Sequence, residues 1–259
     1  MQARIIPCCL FPTNIVIVDD DQALLENIKD ELIELGYKVD TFLDPQKALK
    51  YIEESTPLYL DHICKPRVDV SHEKSTYESK TDLSLILRLV NDKSKQQHLT
   101  LIISDYNMPK LDGISFLKQE TNEEIRKLLL TGVADDALAI EAFNAKIIHQ
   151  FVPKDSKRLV GGINEIIRTL QFDYFAEQSL MTFILYENYQ HKKPFLSEKE
   201  FIKWFRDFTM SNKIDEYYLV TDFALIDYLL ISNQDGKKAV SWLSLRDDND
   251  MDAMTMIAK

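Results

Sequence analysis

The sequence predicts an open, doubly wound sheet of five parallel strands with helices on both faces, followed by a small α+β domain. Two patterns carry that expectation. Short β-branched runs alternate with helix-periodic segments from Asn14 to about Leu170, and an acid, a hydroxyl or a lysine stands at the carboxyl end of four of those runs. The length of 259 residues exceeds an ordinary single domain and asks for a boundary, which we place between 170 and 171.

The first run, 14–18 (NIVIV), ends in Asp19-Asp20-Asp21 and leads into residues 22–35, where Leu24, Leu25, Ile28, Leu32 and Leu35 recur at helical spacing. Gly36 closes that helix as a C-cap, 37–42 reads as a second strand, and Asp44 N-caps a second helix over 45–54. The alternation resumes with a strand at 99–104 (LTLIIS) and a helix from Ile114. A strand at 127–130, a helix at 135–144 and a strand at 147–152 complete it.

Ligands of such sheets bind beyond the carboxyl ends of the strands. The residues there are Asp19 and Asp20 after the first strand, Asp105 after the third, Thr131 after the fourth and Lys154 after the fifth. Converging carboxylates repel one another, and a hard divalent cation with oxygen ligands resolves the repulsion; for magnesium that means one or two carboxylates, waters and a phosphate. A carboxylate can also attack phosphorus, and the charge on the transferring oxygens then needs a cation and hydrogen-bond donors. Lys154 and Thr131 fit those needs.

The segments VDDD (18–21), SDYNMPKLDG (104–113), LLLTG (128–132) and FVPK (151–154) resemble the signature set of receiver domains of two-component response regulators, in the right order and at the right strand ends. The resemblance covers about residues 14–170. It implies that Asp105 is the phosphoacceptor, Asp20 the direct magnesium ligand and Asp19 its partner acting mainly through water. The backbone carbonyl of Asn107 would join the metal set. Thr131 would be the switch hydroxyl, Phe151 the aromatic rotamer switch, and Lys154 the partner of the acceptor. On this resemblance the chain is a phosphoacceptor switch and not an enzyme in the ordinary sense, with Mg2+ as cofactor and a histidine kinase or phosphorelay protein as donor.

Two departures from the family stand out. Asp155 follows Lys154 where the family usually has proline, and Asp20 and Asp105 lie 85 positions apart, close to double the usual interval. The excess falls in 55–98, a Lys-, Ser-, Asp- and Tyr-rich stretch with one apolar helical patch at 83–90, which we read as a surface insertion. His62, His72 and His98 have no metal-motif spacing and read as surface residues.

The C-terminal part is less informative. Apolar residues recur from Leu159 to Ile184, and we expect two helices with a bend at 171–173. Ser197 and Glu200 form a capping box before the aromatic stripe Phe201, Trp204, Phe205 and Phe208, which we take as core. The runs 224–231 and 239–245 flank SNQDGKK and predict a hairpin. No basic recognition helix, Walker loop or GGDEF-type segment is present, and from Gln171 onward 10 Lys and Arg face 15 Asp and Glu, a net charge of −5. The acids 247, 248, 250 and 252 read as a solvated tail.

Composition bounds the partners. A net charge of −11 disfavours nucleic acid, whose binding needs clustered Lys and Arg. The opening MQARIIPCCLFPTN is too short and interrupted for a signal peptide, no run is apolar enough for a membrane span, and three cysteines make no disulfide framework, so the expected location is cytoplasmic. Cys8 and Cys9 read as small apolar fillers near a frayed terminus. The expected output is a protein partner of the C-terminal domain, with homodimerisation also open; an enzymatic or small-molecule-sensing second domain and an atypical DNA-binding factor are the alternatives.

Overall fold

The computed structural model describes residues 5–55, 83–132, 136–154, 159–190, 198–222, 225–234, 237–245 and 256–257. In chain order the first elements are β1 (Cys9–Leu10), β2 (Asn14–Val18), α1 (Gln22–Glu34), β3 (Lys38–Phe42), α2 (Pro45–Glu53), α3 (Leu83–Asn91), β4 (Leu99–Asp105) and α4 (Gly113–Gln119). Then come β5 (Arg126–Thr131), α5 (Asp136–Asn144), β6 (Gln150–Pro153), α6 (Leu159–Gln190), α7 (Lys199–Ser211), β7 (Glu216–Asp222), β8 (Leu225–Gln234), β9 (Lys237–Leu245) and β10 (Met256–Ile257). The chain divides into two compact units, one of residues 12–58 and 93–174, the other of 2–11, 59–92 and 175–259.

The first unit is a five-stranded sheet in the order β3-β2-β4-β5-β6, every neighbouring pair parallel. Its central strands are apolar on both faces because both are covered: β2 and β5 are buried along their whole length. One core cluster joins Ile15, Ile17 and Leu128 to Leu25, Ile28 and Leu32 of α1 and to Ile163, Ile167 and Leu170 of α6. The other joins Val16, Val18 and Leu129 to Ala48 of α2, Phe116 of α4 and Ala139 of α5.

Helix ends follow their local chemistry. Asp21 caps α1 by accepting from the amides of Ala23 and Leu24, and Asp44 caps α2 through the amide of Gln46, with Pro45 at the first helical position. Gly36 takes φ +88 beyond α1, where its amide donates to Ile33 and that of Tyr37 to Leu32. The open carbonyls at the end of α4 are met by the buried ammonium of Lys127, which donates to Leu117 at 3.0 Å and to Glu120 at 2.5 Å. Burial pushes the Lys127 ammonium below its ordinary value, against the pull of Glu120 and Glu123.

The second unit is built on an antiparallel sheet in the order β1-β7-β8-β9-β10. Tyr217 and Tyr228, on one face, pack on Phe205 of α7 at 5.0 and 4.9 Å. Tyr218, on the other, stacks on Phe11, which meets Phe175 of α6 edge-on. The hairpin expected around SNQDGKK is present as β8 and β9.

Several expectations are corrected. The bend at 171–173 is absent: α6 is one helix of 32 residues. Gln171, polar in the sequence, is buried and donates to the hydroxyls of Thr13 at 2.7 Å and Thr100 at 3.3 Å, so it needs no exposed turn. The N-terminus is not frayed at Cys8 and Cys9: both thiols are buried, Cys9 pairs with Tyr218, and the Cys8 amide donates to Ser179. The units differ from the 170/171 division, since residues 2–11 and the helix α3 from the insertion go with the second unit and the unit boundary falls within the continuous helix α6, at 174/175. The strand β7 (EYYLVTD), not foreseen, joins β1 to the hairpin. Glu198 takes the N-cap position of α7 without a side-chain cap bond, Ser197 lies outside the described residues, and Glu200 falls in the helix's first turn. Cys64, His62, His72 and the acids at 247–252 also lie outside the described residues, and His98 is half-buried.

At the amino end of β5 the ring of His149 lies between donors. Its Nδ1 accepts from the Lys127 amide at 3.0 Å, and its Nε2 faces a guanidinium nitrogen of Arg126 at 3.1 Å. Burial, with these two cations beside it, pushes the imidazole from 6.5 down to about 4. Between those values the unfolded chain holds a proton on this ring that the folded protein lacks, so the ring's contribution to stability is present above pH 6.5 and is lost as pH falls toward 4. His149→Gln should flatten that part of the pH dependence in urea-midpoint measurements. An NMR titration placing the wild-type ring near 6.5 would contradict the burial argument.

Candidate functional site

The carboxyl ends of β2, β4, β5 and β6 bring the expected residues to one rim of the first sheet. Asp19 and Asp20 follow β2, and the in-register pairing of Val18 with Ser104 sets Asp19 beside Asp105 at the end of β4. A carboxylate oxygen from each of Asp19, Asp20 and Asp105 lies within 4.8 Å of the other two, with Asp19 and Asp105 buried and Asp20 exposed. All three donors are hard oxygens and neither His nor Cys belongs to the group, a donor set that fits magnesium and not zinc.

Lys154 spans the two buried acids. Its Nζ is 2.8 Å from Asp19 Oδ2 and 2.9 Å from Asp105 Oδ1. Burial works against the charge on this ammonium, but hydrogen bonds and attraction from both carboxylates outweigh it and hold the group above its ordinary value. Burial also raises the Asp19 carboxyl, partly offset by Lys154 and by the amide of Asp21, which donates to Asp19 Oδ1 at 2.9 Å. Asp21 itself turns away to cap α1, so its side chain is absent from the cluster while its backbone orients Asp19.

The remaining residues hold to their strands. Thr131 closes β5 one position beyond Leu130, the register partner of Asp105, and its hydroxyl oxygen is buried without a hydrogen bond among the described residues. The Thr131 carbonyl accepts the amide of Lys154 at 2.8 Å, which fixes the chain as it leaves β6. Phe151 pairs with Leu129 and is half-buried against the α2, α4 and α5 side of the core. Asn107 is exposed in the loop after Asp105.

One further contact was not foreseen. Gly113, at the start of α4, packs directly on the backbone of Asp105: a Cβ there would lie 2.1 Å from the Asp105 carbonyl oxygen. Its amide donates to Tyr106, and Asp112 before it caps the helix through Ser115. Gly113 was visible in the sequence only as the last residue of the 104–113 segment, and the closeness of α4 to the Asp105 backbone was not visible there.

No protein-family model matches the chain, and no curated protein matches it. Among solved structures, the response regulator LqsR of Legionella pneumophila aligns with a TM-score of 0.65 and 27% identity over 94% of this chain and 68% of that one. A response regulator receiver domain protein from Clostridium thermocellum aligns at 0.39 and 18% identity, over 67% of this chain and 98% of its own. TrrA, a response regulator protein from Thermotoga maritima solved with Mg2+-BeF, aligns at 0.39 and 19% identity, over 61% and 98%.

The close approach of Gly113 yields a direct test. Gly113→Ala should destabilise the protein by about 1–3 kcal/mol, because the methyl group meets fixed backbone and the strand end must shift. Urea unfolding measures the loss, and amide NMR shifts at Asp105 and Tyr106 should move with it. A neutral substitution would show that α4 can back away freely.

Proposed function

We propose that this chain is a response regulator whose first unit, similar in fold to the response regulator LqsR, is a receiver domain, and that it is a phosphorylation switch whose acceptor is Asp105. The observation that carries the reading is the single ammonium of Lys154 held between Asp105 and Asp19, with Asp20 completing the acidic group.

The donor is a phosphohistidine of a histidine kinase or relay protein, or a small acyl phosphate. A carboxylate oxygen of Asp105 attacks phosphorus, a P–O bond forms as the donor's P–N or P–O bond breaks, and the leaving group departs with the bonding electrons and takes up a proton. Asp19 and Asp20, with Asp105 and the carbonyl of Asn107, would hold Mg2+, which supplies positive charge to the transferring oxygens. Lys154 neutralises the same developing charge from the protein side. The Thr131 hydroxyl, buried and without a hydrogen bond among the described residues, donates to a phosphoryl oxygen once one arrives.

The consequence runs through the surface of α5, β6 and the start of α6. Thr131 and Phe151 change position with the phosphoryl group, and the population shift is bounded by the differential affinity of that group for the two states. Contacts made by this face and by the second unit with protein partners are the output, with self-pairing among them. No helix among the described residues is long and apolar enough to cross a membrane.

Acetyl phosphate with Mg2+ should add one base-labile phosphoryl group, visible by mass, and Asp105→Asn should abolish it. Asp20→Ala should slow labelling by roughly 100-fold or more, as removal of a charge-stabilising group does elsewhere. Asp21→Ala should act mainly on stability, costing about 1 kcal/mol through the lost helix cap. Unchanged labelling of Asp105→Asn would move the acceptor elsewhere.

A further inference from the structure

The 32-residue helix α6 is weakest near its middle. The run Phe172, Asp173, Tyr174 and Phe175 holds only residues that rank below the straight-chain helix formers. Two backbone carbonyls there are engaged by side chains: Arg126 donates to that of Asp173 at 2.9 Å, and the Ser179 hydroxyl donates to that of Phe175 at 2.7 Å. A serine that bonds back one turn loosens and bends a helix, and side chains reaching into the backbone ladder are where helices kink. By its own residues α6 should break at this point, yet it runs on from Leu159 to Gln190.

Along that stretch lies the amino-terminal segment. Gln171, Phe175 and Ser179 are spaced four apart and share one face of the helix. Each meets a residue of the segment 8–13, in reverse order. The Cys8 amide donates to the Ser179 hydroxyl oxygen at 2.9 Å, the Phe11 ring meets that of Phe175 edge-on at 4.9 Å, and Gln171 Nε2 donates to the Thr13 hydroxyl at 2.7 Å. The segment therefore runs antiparallel to α6 over about two turns.

All six partners are buried, so water does not compete for these contacts. The segment is also held apart from α6: Cys9 and Leu10 pair with Tyr218 and Tyr217, and β2 takes over at Asn14. Ser179 joins the two features. Its hydroxyl gives its proton to the Phe175 carbonyl and accepts the Cys8 amide, so the group that would loosen the helix is also one that ties it to the segment.

We propose that residues 8–13 are a brace that holds α6 closed over a break point at 171–179, and that the protein reaches a second state, with the helix open there, when the brace lifts. In the open state the Cys8 amide and the Gln171 side chain exchange their partners for water, while Ser179 keeps its bond to Phe175. Cys8 and Cys9 are buried thiols in the closed state, so their reactivity rises only when the segment lifts or the protein unfolds. The device needs no chemistry at Asp105.

Hydrogen exchange of the full 259-residue chain, read amide by amide, tests this in a Cys64→Ser background that leaves only Cys8 and Cys9 as thiols. Thr13→Val with Ser179→Ala removes both polar ties. Exchange at 173–179 should then quicken at least about tenfold while that at 163–168 changes less than about twofold. Labelling of Cys8 and Cys9 by a thiol-reactive dye should quicken with it. The sign is discriminating, because alanine is the better helix former and Ser179→Ala would protect α6 if the serine acted on the helix alone. If circular dichroism shows that the double variant fails to fold, Ser179→Ala by itself should move both readings in the same direction. Exchange at 173–179 that is unchanged or slower would overturn the proposal. So would equal quickening along the whole helix, or thiols that stay protected while those amides quicken.

Discussion

A single ammonium group lies between two buried carboxylates, and the first unit is arranged around that fact. Asp19 and Asp105 have side chains only 1% and 4% exposed, and removing such ions from water costs several kcal/mol each unless they are paired and hydrogen-bonded. Lys154 meets both, and three strands must be in register for it to do so. β2 carries Asp19, β4 carries Asp105, and β6 delivers Lys154 on a chain pinned to the carbonyl of Thr131. The closeness of α4 to the Asp105 backbone adds a fourth restraint, because only glycine fits at position 113.

The same rule, that a buried polar group must find its partner, governs the parts of the first unit far from that rim. Lys127 is buried against the carbonyls that α4 leaves open, Gln171 is buried against two threonine hydroxyls, and the half-buried His149 ring accepts the Lys127 amide at Nδ1 and is kept neutral by burial beside Arg126 and Lys127. Each ties a helix or loop to the amino end of the sheet.

How much of this could be seen in the sequence depends on whether a signal was local. The strand ends were legible because β-branched runs stop at acids, a threonine and a lysine, and caps such as Asp21, Asp44 and Gly36 act on their immediate neighbours. What was missed rests on distant pairing. Gln171 looks like a surface residue until Thr13 and Thr100 are brought to it, and Cys8 and Cys9 look like a loose end until β7 is found beside them. The length of α6 was obscured for the same reason, since a buried glutamine in its middle has the appearance of a break. The bonds of Lys154 were legible only as a resemblance, because no spacing rule places a lysine between two particular acids.

The pairing of Cys9 with Tyr218 joins positions about 200 residues apart, and this bears on how the chain is made. Synthesis proceeds from the amino terminus, so the whole first sheet can leave the ribosome and close before the partner of β1 exists. Contacts of such sequence separation form late and slowly, since a long loop must close before they contribute anything. For that interval the segment around Cys8 and Cys9 carries two free thiols and an unpaired strand edge into the surrounding medium. The chain is then exposed to oxidation and mispairing around Cys8 and Cys9, and the hazard ends only when β7 has been made and paired with β1.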